Sequence, residues 1–163
     1  MTSIQILPLS EAHLSAAARL EQLCFAEPWS ENSLAMLTRE GGFGIAAVTP
    51  EGTLAGYGGM ILAPDEGQIT NIAVHPDHRR QGIGGEILKT LICQATALGL
   101  EQLSLEVRVS NESAITLYAR HGFTVAGRRK RFYRHPAEDA LVMIKGTSKY
   151  SACVDRREDF SSV

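Results

Sequence analysis

A mixed α/β domain, one layer of sheet with helices packed on it, is what this sequence predicts, on three observations. Short apolar or alternating segments recur at Phe43 to Val48, Leu54 to Leu62 and Gln68 to Val74, the mark of strands. Other segments carry apolar residues at helical spacing, most clearly Ile83, Ile87, Leu88, Leu91, Ile92 and Ala95. Between these last two lies a turn with glycines, so strand, turn and helix follow one another directly.

The elements then read in order. Ile4 to Leu9 alternates well enough for an edge strand, and Glu11 to Cys24 reads as a helix with Leu14, Ala17, Leu20 and Cys24 toward a core. After a break at Ala26-Glu27-Pro28, Ser30 is a good N-cap for a short helix containing Leu34 and Leu37. Trp29 and Leu34 fall at the two positions of a hydrophobic staple. Pro50-Glu51-Gly52 turns the first hairpin, and Gln68 to Val74 is the next strand. The helix from Ile83 ends before Gly99, Leu103 to Val107 is a short buried strand, and Asn111 caps a helix closed by Gly122. Thr124 to Arg131 and Ala140 to Ile144 finish the sheet. No internal repeat is present. Gly146 to Val163 loses periodicity and gains Ser, Asp and Arg, which predicts a mostly disordered tail beyond a domain of residues 1–145.

With 163 residues, 44% of them hydrophobic, the chain suits one domain with a full core. A formal net charge of −2 gives no field that would draw it to nucleic acid or membrane. No apolar run approaches the length of a span, and the first residues lack a basic segment followed by an apolar one, so a cytoplasmic protein is expected. Cys24, Cys93 and Cys153 are odd in number, widely spaced and without a C-x-x-C pair. They read as buried thiols and one tail thiol, with no metal site.

The turn is the most informative stretch: Val74-His75-Pro76-Asp77-His78-Arg79-Arg80-Gln81-Gly82-Ile83-Gly84. Gly82 and Gly84 leave no side chain in the way where the backbone enters the helix. Several N–H groups can converge there on an anion, joined by the helix's own unpaired donors and partial positive charge. Arg79 and Arg80 add charge beside it. The register fits neither a P-loop, which needs Lys-Ser or Lys-Thr after the glycines, nor the G-x-G-x-x-G dinucleotide fingerprint. A pyrophosphate-binding turn remains, against the plainer alternative of a helix start with ordinary turn glycines.

Two further residues carry candidate chemistry. Glu106 interrupts the apolar strand Leu103-Ser104-Leu105-Glu106-Val107, so its carboxylate is either solvated or held in a cleft by partners. It lies at a strand end one element after the turn, where ligands collect in α/β sheets. Tyr118, at helical spacing with Ala114, Ile115 and Leu117, is either plain core or a buried hydroxyl in need of a partner.

The R-x-x-G-x-G of Arg79 to Gly84, after a strand ending in Val, resembles the acyl-CoA-binding motif of the GCN5-related N-acetyltransferases. Longer matches resemble the bacterial ribosomal-protein-alanine N-acetyltransferases within that superfamily: Pro28-Trp29-Ser30, Asn71 to Val74, Leu105 to Arg108, Ser110-Asn111, Leu117-Tyr118 and Glu138-Asp139-Ala140. They run in order from Ile4 to about Lys145. The resemblance implies a central, mostly antiparallel sheet splayed at the cofactor site, with acetyl-CoA as cosubstrate and no metal. It implies that Ile72, Ala73 and Val74 lie along the pantetheine arm, that Arg79, Arg80, Gln81, Gly82, Ile83, Gly84 and Gly85 wrap the pyrophosphate, and that Asn111 is a further cofactor contact. Glu106 would be the general base and Tyr118 the general acid. Phe25, Pro28 and Trp29 would form one wall of a peptide groove and Tyr133 the other, for the N-terminal alanine of a small-subunit ribosomal protein. Wider N-terminal or small-amine substrates, or a non-catalytic acetyl-CoA-binding partner, are the alternatives.

One segment departs from the family's habit. Arg128-Arg129-Lys130-Arg131-Phe132-Tyr133-Arg134 is dense in positive charge, and Phe132-Tyr133 stands where relatives commonly have two tyrosines. The charge reads as a solvated edge strand protected against pairing, in preference to a nucleic-acid contact.

Overall fold

Burial alternates residue by residue along Gln102–Arg108, whereas the first seven residues of Leu54–Leu62 are all buried, as in a strand covered on both faces. The structure is a computed structural model and describes residues 3–147. β1 (Gln5–Pro8), β2 (Gly42–Val48), β3 (Leu54–Leu62) and β4 (Glu66–Val74) run antiparallel in sequence order. β5 (Gln102–Arg108) lies parallel beside β4, and β6 (Thr124–Arg134) and β7 (Ala137–Gly146) add an antiparallel pair. The single seven-stranded sheet has the order β1-β2-β3-β4-β5-β7-β6, with β1 and β6 at its edges.

Helices cover both faces. α1 (Leu14–Cys24) and the short α2 (Glu31–Leu34) bury Leu14, Leu20 and Leu34 with Leu37 against Leu9 and Tyr57. α3 (Ile83–Ala97) and α4 (Glu112–Arg120) lie in the other apolar layer, where Ile87 and Leu91 meet Met60 and Leu103. Two adjacent glycines of β3 let both layers approach. A Cβ on Gly58 would stand 2.4 Å from Ile87 Cγ2, and one on Gly59 2.4 Å from Leu37 Cδ1, so a side chain at either position would push a layer away. Ser30 Oγ accepts from Ser33 N at 3.1 Å and Asn111 Oδ1 from Ala114 N at 3.2 Å, the caps that sequence predicts for α2 and α4. Trp29 and Leu34 pack in the same apolar layer, as a staple would.

Three expectations need correction. Glu11–His13 is a 3₁₀ turn, so the first helix begins only at Leu14. The last two strands run past their predicted ends to Arg134 and back to Ala137, because the residues around the turn that joins them carry no apolar alternation. Cys93 is disulfide-bonded and not a free thiol, whereas Cys24 is free. Gly146 still belongs to β7, and the tail predicted from there lies, past Thr147, outside the described residues.

The sheet opens in its middle. β4 pairs with β5 only through Glu66–Gln102, Gly67–Leu103 and Gln68–Ser104. Just beyond, Thr70 is an unmatched residue between Ile69, opposite Met60, and Asn71, opposite Gly59. Its hydroxyl donates to the Gly59 carbonyl at 3.2 Å. A bulge of this kind bends its strand, and here it coincides with the point where β4 leaves β5. The segments Asn71–Val74 and Leu105–Arg108 therefore flank a gap, and the β5-facing edge of Asn71–Val74 keeps backbone groups with no strand partner.

Candidate active site

The gap between β4 and β5 continues into a cavity of about 410 Å³. Asn71 and Ile72 line it from β4, Glu106 and Arg108 from β5, Asn111, Ala114 and Tyr118 from the α4 region. Phe25, Glu27 and Trp29 close it on one side, Phe132 and Tyr133 on the other. Glu106 reaches it by alternation. Leu103, Leu105 and Val107 are buried on one face of β5, which leaves Ser104, Glu106 and Arg108 on the face turned to the cavity. The Glu106 carboxylate is 14% exposed, accepts from Gln68 Nε2 at 3.2 Å, and has Arg129 Nε at 3.5 Å. Both readings that sequence left open are thus decided in favour of a cleft with partners.

Tyr118 is buried, its ring edge-on to Phe123 with centroids 5.8 Å apart. Its hydroxyl has no hydrogen-bond partner among the described residues, and burial pushes its pKa well above the ordinary tyrosine value, so it holds its proton at neutral pH. Tyr133 lies under the Arg108 guanidinium, 4.2 Å from the ring centroid. Burial, partly offset by that cation, pushes the Tyr133 hydroxyl up to about 12.

At the start of α3 the chain forms an open cradle. Gly82, the N-cap, has φ +78°, a conformation that favours glycine, and a Cβ there would meet nothing within 4 Å. No side chain caps this helix, so the first-turn N–H groups of Ile83, Gly84 and Gly85 face outward without an intrahelical partner. Open space, free donors and the positive end of a helix of 15 residues suit a phosphate anion.

Residues 14–123 match the Acetyltransferase (GNAT) family. The chain belongs to that family. It is 38% identical over 140 residues to the [ribosomal protein bS18]-alanine N-acetyltransferase of Escherichia coli K12, covering 85% of this chain and 94% of that protein. It is 36% identical over 125 residues to a putative enzyme of the same name from Bacillus subtilis, covering 76% and 83% of the two chains. The crystal structure of the Escherichia coli ribosomal-protein-S18-alanine N-acetyltransferase superposes with a TM-score of 0.83 at 35% identity, over 92% of this chain and 97% of that one. This chain is accordingly an acetyl-CoA-dependent N-acetyltransferase with the mixed α/β fold and splayed sheet of the family.

Within that frame the predicted site residues fall into two groups. Ile72, Glu106, Asn111, Tyr118, Phe25, Trp29 and Tyr133 all line the one cavity. The cradle residues Arg80, Gln81, Gly82, Gly84 and Gly85 sit at the α3 start, Arg80 itself at φ +64°. Three placements refine the reading. Ala73 and Ile83 are core side chains, so only their backbone is free for a ligand. Arg79 turns back, Nε donating to the Val74 carbonyl at 3.3 Å and Nη2 reaching Cys24 Sγ at 3.6 Å. Pro28 is exposed and lies outside the cavity lining, between Glu27 and Trp29, which are in it. Val74 is half-buried at the strand end.

Sequence reading missed the residues that hold the walls. Glu21 is fully buried, accepting from Tyr57 Oη at 2.7 Å, Trp29 N at 2.8 Å and Asn71 Nδ2 at 3.0 Å. It thereby ties α1 and the Trp29 backbone to β3 and β4. Glu138 accepts from Ser110 N at 2.7 Å and pairs with Arg108 at 3.2 Å. Hydrogen bonds from Ser110, ahead of that cation, hold the Glu138 carboxyl below the usual range. The one available signal was the Glu138-Asp139 pair ahead of an apolar strand. Among the described residues no group of three or more metal-ligating side chains comes together. No helix among them is long and apolar enough to cross a membrane.

Proposed function

We propose that this protein transfers the acetyl group of acetyl-CoA to the α-amine of an N-terminal alanine, that of ribosomal protein bS18 or its counterpart, with Glu106 as general base and Tyr118 as general acid. The observation that carries the roles is that both side chains reach one cavity, at the gap where β4 and β5 part, between two aromatic walls. The substrate follows from the names of relatives that are similar over most of this chain.

The chemistry suits an α-amine. An α-ammonium has an unperturbed pKa near 7.7–8.0 against about 10.4 for lysine, so reaching the free amine is easier by roughly 3.5 kcal/mol. Glu106, directly or through one water, then suffices to take the proton. Acetyl-CoA brings the thioester on which the amine acts. The Ile72–Val74 backbone offers N–H groups along its open edge, where a developing oxyanion can be received. Tyr118, kept protonated by burial, would donate its proton to the departing sulfur. The α3 cradle binds the pyrophosphate with Gly82 to Gly85, and Phe25 and Trp29 face Tyr133 across the peptide. No covalent enzyme intermediate is needed, so the free thiol of Cys24 has no catalytic part.

The test is incubation of the protein with acetyl-CoA and a panel of peptides and small amines, read by mass. Acetylation at the α-amine of an alanine-initiated peptide is the expected product; a product carrying acetyl only on lysine or on a small amine refutes the substrate reading.

A further inference from the structure

The aromatic wall contributed by β6 exists because the strand is not regular there. Arg129 lies opposite Ala140 and Tyr133 opposite Glu138, so Lys130, Arg131 and Phe132 all stand against the single residue Asp139. Arg131 takes φ +51°, the left-handed region that disfavours residues with a Cβ. Its N–H donates to Asp139 Oδ1 at 2.9 Å, and Arg128 Nε donates to Oδ2 at 2.7 Å. One carboxylate thus closes the bulge from the β7 side.

The bulge changes where side chains go. Successive residues of a regular strand point to opposite faces, so Phe132 and Tyr133 would be separated by the sheet. Here both line the cavity, their rings edge to face with centroids 5.0 Å apart. Arg129, still in register opposite Ala140 just before the bulge, has its Nε 3.5 Å from Glu106. Bulges that re-aim side chains beside active sites are a recognised device. We propose that Asp139 is a positioning residue for the peptide: by holding Arg131 in the left-handed conformation it sets both rings of the β6 wall, and so governs peptide KM and not acetyl-CoA binding. The inference rests on the peptide acetyltransferase reading above.

Arg131 supplies the discriminating pair. Arg131→Gly and Arg131→Val remove the same charge, but only glycine holds φ +51° without strain while a β-branched residue resists it. With full-length protein and an alanine-initiated peptide, Arg131→Gly is expected to keep peptide KM within about threefold of the parent, and Arg131→Val and Asp139→Ala to raise it about tenfold or more. The acetyl-CoA dissociation constant, by calorimetric titration, should stay within about twofold in all of them. Adding Arg131→Gly to Asp139→Ala should recover most of the loss. Equal KM for the glycine and valine variants, or an acetyl-CoA constant that rises with KM, overturns the proposal. If Asp139→Ala does not fold, the Arg131 pair decides alone. A parent that ignores the alanine peptide refutes the substrate reading instead, and the glycine–valine comparison is then made on the amine it does acetylate, equal KM again overturning the proposal.

Discussion

Glu27 Oε1 accepts the backbone N–H of Arg134 at 2.8 Å, across 107 residues of sequence. The same oxygen takes the N–H of His135 at 2.9 Å. These bonds, the Arg134 one foremost, hold the Glu27 carboxyl below the ordinary range. A loop that follows α1 is in this way latched to the turn between β6 and β7, so the two walls of the groove are fixed relative to each other. Glu27→Ala should loosen that spacing, raising peptide KM about three- to tenfold while acetyl-CoA affinity holds. Steady-state kinetics in both substrates checks it; an unchanged peptide KM would mean that the latch does not set the groove.

The catalytic assignment is tested by near-isosteric changes. Glu106→Gln keeps the shape and the contact to Gln68 but cannot take a proton, so turnover should fall roughly 100-fold or more with acetyl-CoA affinity little altered. Tyr118→Phe removes the hydroxyl from a buried position without opening a cavity, and should slow turnover by withholding the proton from sulfur. Parent rates in both variants would mean that neither residue has the role given to it here.

How far the sequence alone reached depends on the kind of signal. Strands β2 to β5 and helix α3 were legible because apolar periodicity records which face is buried. The glycine turn that opens α3 was legible because glycines at fixed offsets constrain backbone. Glu106 stood out as a charge inside an apolar strand, although its companion Arg108 on the same face passed as a strand end. Glu21, Glu27 and Asp139 were not legible. Each acts by accepting hydrogen bonds whose geometry exists only once the chain has folded, from Tyr57, Asn71 and Trp29 for Glu21, from Arg134 and His135 for Glu27, and from Arg131 across the bulge for Asp139.

Gly82 is required by conformation and by the open space around it. Valine at φ +78° is strained, of order 1–3 kcal/mol, and its side chain would project into the cradle. Gly82→Val should therefore raise the acetyl-CoA dissociation constant at least tenfold, about 1.4 kcal/mol. Because no protein atom stands within 4 Å of the added Cβ, the chain should still fold. A folded variant with parent affinity, measured calorimetrically, would remove the pyrophosphate from this turn.

Glu21 makes stability depend on pH. Burial raises its carboxyl pKa in the fold, while hydrogen bonds from Tyr57, Trp29 and Asn71 pull the other way and lose. The folded state then binds more protons than the unfolded one between the unfolded carboxyl value, about 4.3, and the raised folded value. In that window this group's contribution to stability falls as pH rises. Glu21→Gln, which does not titrate, should lack this component, so parent-minus-variant stability declines from about pH 4 upward. Glu21→Ala leaves three donors unpaired and should cost roughly 3 kcal/mol or more. Urea melts across pH measure both, and a difference curve that is flat or rises with pH contradicts the sign.

Substrate choice is read from the two walls and the base together. Glu106 suits an amine of moderate pKa, and a groove walled by Trp29 and Tyr133 suits an extended chain. A peptide beginning with Ala should thus be acetylated at its α-amine, with little product at an internal lysine, whose ammonium is roughly 3.5 kcal/mol harder to deprotonate. Trp29 sits in the apolar layer of α1 and α2, away from the α3 cradle. Trp29→Ala should weaken peptide use about tenfold or more while acetyl-CoA binding stays near the parent value. Both arms are needed, because a lost wall and a lost fold each reduce turnover but only the second releases acetyl-CoA. A variant that loses both affinities in proportion would make Trp29 a staple of the fold alone, and lysine ε-acetylation as the main product would show that the cleft admits a side chain where an N-terminus is expected.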